Sequence, residues 1–162
     1  MGKFKIYILS IVFLSASFSL SAQSNIPGMK NLKLNKELHA SFMKFYSHHI
    51  RSKAKNKPGN YFLKINEIIG LHNFDYNKDN FEDVMIEFSV RPSNSDYGVF
   101  NIAVLFKNAK STYVYIAHLK PNEVSFREYL NSVFYFYGEM HNFTEGMTSE
   151  KYILHVDKFV KQ

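Results

Sequence analysis

The chain of 162 residues contains no cysteine and no tryptophan, and only four prolines. Without cysteine there is no disulfide framework, no zinc finger and no thiol nucleophile. No G-x-S-x-G, P-loop, G-x-G-x-x-G or H-E-x-x-H pattern occurs, so hydrolase, nucleotide and zinc-protease signatures are all missing. Low-complexity tracts and internal repeats are absent too. What is present is a globular composition, 46% hydrophobic with 17% aromatic and 21% charged residues. That balance excludes disordered and collagen-like classes and allows one ordinary domain with a core.

Residues 1–22 read MGKFKIYILSIVFLSASFSLSA. Lys3 and Lys5 form a short positive start, Ile6 to Leu14 is an almost unbroken apolar run, and small residues lead to Ala22. This is the order of a secretory signal peptide, and the apolar run is too short to span a bilayer. Cleavage before Gln23 predicts a periplasmic or secreted protein with no transmembrane segment left after processing. No cysteine follows the apolar run, so a lipoprotein anchor is excluded. Residues 23–34 form a polar leader, and 35–162 are expected to make a single domain. Segment 30–58 carries eight basic residues and only Glu37 as an acid, whereas 59–162 carries ten basic and thirteen acidic residues. One segment therefore sets the sign of the molecule.

Asn35 is placed to cap a helix from Lys36. Leu38, Phe42, Phe45, Tyr46, His49 and Ile50 then form an apolar stripe, and Pro58-Gly59-Asn60 ends it. Period two takes over at Tyr61 and puts Leu63, Ile65, Ile69 and Leu71 on one face, with Gly70 marking a bulge. Val84 to Val90 alternates, Val99 to Phe106 is apolar at nearly every position like a central strand, and Tyr113 to His118 is a fourth strand. Phe126, Tyr129, Leu130, Val133, Phe134 and Tyr137 fit helical spacing, although Val133 to Tyr137 alone also fits a strand. A final helix is expected after Thr148 or Ser149, with Tyr152, Ile153, Val156 and Val160 inward. The expected fold is α+β, with an N-terminal helix packed on a four-stranded antiparallel sheet and C-terminal helices. This order of elements is similar to cystatin-like and nuclear-transport-factor-2-like architectures, a similarity that implies no function.

Residues 75–83 hold the most specific motif, Asp75-x-Asn77-x-Asp79-Asn80-Phe81-x-Asp83. It resembles, over nine residues, the calcium loops of EF-hands, dockerins and FG-GAP-type repeats. Calcium takes six to eight hard oxygens. The resemblance implies side-chain ligands from Asp75, Asn77 and Asp79, a carbonyl from Phe81, and Asp83 direct or through water. Asn80 stands where such loops carry glycine, and asparagine tolerates the left-handed backbone. Ile86 stands where an EF-hand has its bidentate Glu, and the flanks are strands. The match is therefore to a strand–loop–strand hairpin rather than a helical sensor.

Seven histidines show no zinc spacing. Glu67, Glu87 and His118 are the strand residues able to serve as acid or base if they converge in a pocket. Phe42, Phe45 and Tyr46 interleave the basic segment but lie on its apolar stripe, so a nucleic-acid role is not expected. These features predict an exported, non-enzymatic binding or structural module whose partner is a protein or another anionic species. Two alternatives stand beside it: a periplasmic inhibitor or immunity-type protein that blocks a toxin or hydrolase, and a small enzyme.

Overall fold

The computed structural model describes residues 34–51, 61–95, 98–110, 112–121, 124–138 and 149–162. The proposed signal peptide, most of the polar leader and the cluster Lys53 to Asn60 lie outside the described residues. Helix α1 spans Lys36–Phe45 and continues as a π-helical turn at Tyr46–Arg51. Asn35 caps it: its side-chain oxygen accepts from the Leu38 amide at 2.8 Å, satisfying one of the donors a helix start leaves open. Glu37 in the first turn and Lys44 in the last complement the helix dipole.

Eight strands follow. β1 (Leu63–Phe74), β2 (Asp83–Pro92), β3 (Phe100–Asn108) and β4 (Tyr113–Leu119) form one antiparallel sheet in chain order. β5 (Val124–Leu130), β6 (Val133–Gly138), β7 (Ser149–His155) and β8 (Lys158–Lys161) form a second, also in chain order. Strands, not helices, therefore dominate the described residues. The α+β expectation is corrected to a mostly β architecture of two four-stranded sheets with one short helix. The residues expected as C-terminal helices are β5 to β8.

The reason lies in a bulge. The β5–β6 register skips Arg127, so Phe126 faces Phe136 and Tyr129 faces Phe134. The skipped residue turns an alternation of two into a spacing of three, which imitates a helix. Asn131 and Ser132 then close the hairpin with φ of 51° and 65°, the pattern of a type I′ turn. Val156, expected inward on a final helix, is 82% exposed at the β7–β8 turn.

Strand β2 is buried on both faces from Asp83 to Val90, which explains the density of apolar residues in the central strands. Ile86, Phe88, Val104 and Phe106 belong to one core, shared with Leu38, Phe42 and Phe45 of the helix. Phe42 meets Phe88 edge-on at 5.1 Å, and Phe45 meets Phe106 at 6.2 Å. Met85, Ala103 and Leu105 belong to the other core, with Phe126, Phe134, Phe136 and Tyr152 of the second sheet. In β1 the register skips Asn66 and Ile69. Ile68 is thereby turned inward, and Ile69, expected on the buried face, is 42% exposed.

Candidate functional site

The β1–β2 connection is the acidic loop, and its side chains fold back on its own backbone. Asp75 accepts from the Asp79 amide at 3.2 Å through Oδ1 and from the Asn80 amide at 2.8 Å through Oδ2. Asn77 Oδ1 accepts from the same Asp79 amide at 3.1 Å. Asp79 Oδ1 accepts from the Phe81 amide at 3.0 Å. Lys78 and Asn80 have φ of 60° and 67°, so the chain turns sharply at the position expected to need a left-handed residue. Asp75, Asn77 and Asp79 are thus gathered in one turn, and Phe81 joins through its amide.

Asp83 has a different place. It is fully buried at the start of β2, where Oδ1 accepts from the Asn108 amide at 2.8 Å and Oδ2 from the Tyr76 amide at 3.2 Å. It ties the loop to the end of β3. Burial pushes its carboxyl above the ordinary aspartate value, opposed by the two amides. Asp79 is shifted the other way. The Lys107 ammonium, 3.0 Å from Asp79 Oδ2, holds its carboxyl below the ordinary value. Among the described residues no three His, Asp or Glu side chains meet as a ready metal cluster. The loop instead offers two carboxylates and an amide oxygen, an all-oxygen set suited to a hard cation.

Of the three acid–base candidates, Glu87 is the buried one. Its Oε2 lies 2.9 Å from His72 Nε2, and its Oε1 accepts from the Phe126 amide at 2.8 Å. Both oxygens are taken, and the second bond reaches the other sheet. Gly70 makes room for this pair, because a Cβ there would come within 2.8 Å of His72 Nε2. Glu67 is exposed on β1, away from this pair's buried side.

His118 joins a separate cluster beside the helix. Its Nδ1 is 2.8 Å from the Tyr115 hydroxyl, and its ring lies 5.3 Å from Phe45. His49 stacks on Phe45 at 5.3 Å and lies 4.6 Å from Tyr115. Sequence spacing does not show this grouping, since Tyr115 and His118 are three apart in a strand. The β3–β4 register skips Ile116, and that bulge turns both toward the helix. Comparison with family models, with curated proteins and with solved structures gives no match to this chain.

Proposed function

We propose that this protein is an exported, non-enzymatic binding module whose β1–β2 hairpin is fixed by calcium. The observation that carries the metal reading is the closure of the loop around Asp75, whose carboxylate takes the amides of both Asp79 and Asn80. That bonding orients Asp75, Asn77 and Asp79 within one turn. A bound cation would offset the charge that Asp75 and Asp79 bring to this turn. Asp75, Asn77 and Asp79 would supply side-chain oxygens and Phe81 its carbonyl. Asp83 would act through water or as the anchor of the loop. The signal-like first 22 residues support export, and the basic segment 30–58 supports an anionic partner, a protein above all.

The site lacks a bidentate Glu, so affinity in the extracellular range of about 10⁻⁴–10⁻³ M is expected. With a dissociation constant of about 0.1 mM, 1 mM calcium stabilises the fold by about 1.4 kcal/mol. Melting then rises by about 3–6 °C, and magnesium gives less because it demands stricter octahedral geometry. Asp75→Ala combined with Asp79→Ala should remove the calcium shift. Lys107→Met should enlarge it, since the ammonium competes for Asp79. Equal melting curves in calcium and in chelator would overturn the metal reading.

A further inference from the structure

We propose that the groove between helix α1 and strand β4 binds a small organic anion with an aromatic body. The groove has a volume of about 430 Å³. That lies within the range of about 300–1,000 Å³ typical of small-ligand sites. Its floor is aromatic: Tyr115 stacks on Phe45 at 5.1 Å and 25°, and His49 lies over Phe45 at 5.3 Å and 18°. Its rim is basic, with exposed Lys44 and His48 on the helix side. Ser41 closes one end by donating to the Tyr113 carbonyl at 2.6 Å. Phe45 is buried beneath His49 and Tyr115, so an aromatic ring meets those two half-buried rings, and a carboxylate or similar anion on that ring meets the rim.

Two backbone irregularities converge on this place. The helix widens to a π-helical turn at Tyr46–Arg51, which sets His48 outward and His49 inward. The bulge at Ile116 sets Tyr115 and His118 on the same face. Each departs from regular pairing, and both kinds of irregularity recur beside functional sites, where they re-aim side chains. The charged and titratable groups around the floor are Lys44, His48, His49 and His118, with Glu37 near Tyr113 on the helix side and Asp157 of the β7–β8 turn acting on Tyr115 from the second sheet. Among the described residues that line the groove the fixed charge is that of Lys44 and none is a carboxylate, which favours an anion over a cation.

The site is separate from the acidic loop, so its test does not depend on calcium. The protein is titrated with 2-naphthoate and, as the uncharged counterpart, 2-naphthamide, with amide and ring shifts followed by NMR. Saturable shifts confined to α1 and β4 are expected with 2-naphthoate, and binding about tenfold weaker with 2-naphthamide. Lys44→Glu should weaken 2-naphthoate by about tenfold, and its reversed charge in the last helical turn should lower the melting temperature by only a few degrees, so that the variant stays folded during the titration. Absence of saturable shifts in the groove, equal binding of the two compounds, or unchanged affinity in Lys44→Glu would each overturn the proposal.

Discussion

Asp79 and Asp83 lie four residues apart in one loop and are pulled in opposite directions. Lys107 favours the charged form of Asp79, so its folded value is low. The stability this gives is present above the ordinary aspartate value and is lost as pH falls through the folded one. Burial favours the neutral form of Asp83, so its folded value is high. Between the ordinary and the raised value the folded state holds the extra proton, and stability there falls as pH rises. A carboxyl-detected NMR titration should therefore find Asp79 titrating below and Asp83 above an ordinary aspartate. In Lys107→Met the Asp79 curve should move upward while Asp83 changes little. An Asp79 curve that stays put would mean that the loop's own amides, not Lys107, hold it down.

Two short hairpins show what was legible at the level of elements and what was not. Helix α1 and the first four strands could be read from the chain, because the cap at Asn35 and the alternation from Val84 to Val90 are unbroken signals. The second sheet could not, because the Arg127 bulge breaks its alternation and its two tight turns, at Asn131-Ser132 and Val156-Asp157, carry no glycine. Asn131-Ser132 adopts two left-handed residues without the usual glycine, and Val156 holds φ of 59° as the first residue of the β7–β8 turn. A β-branched side chain is costly there. Val156→Gly should raise stability by about 1 kcal/mol, since its exposed side chain buries little. Ser132→Gly should give a smaller gain, about a few tenths of a kcal/mol. Denaturant unfolding of the two variants decides the order, and a loss of stability in Val156→Gly would refute the argument. The acidic loop was legible as a motif. The Phe45–His49–Tyr115–His118 cluster was only half legible: Phe45 and His49 share the helical stripe, but Tyr115 and His118 reach one face through a strand bulge that their spacing does not show.

At the scale of the whole molecule, Glu87 joins the parts. One oxygen holds His72 on β1, and the other holds the Phe126 amide on β5 of the second sheet. Glu87→Ala removes both acceptors and leaves the Phe126 amide without this partner. It should cost about 1–3 kcal/mol. Hydrogen exchange should speed up most at Phe126, where the link between sheets is cut. Unchanged protection at Phe126 would show that the apolar core alone docks the two sheets.

The strand order carries a consequence for the path by which the chain reaches this structure. Every strand pairs with its neighbour in sequence, in both sheets. Chain closure before each pairing is therefore short, and the entropy lost in making it is small. Low mean separation between contacting residues favours fast folding, in contrast with sandwiches whose strands return from far away. The strands can zip in the order in which they emerge, each new one finding its partner already in place. The late step is then the seating of the second sheet on Met85, Ala103 and Leu105, the one event that depends on both halves being formed.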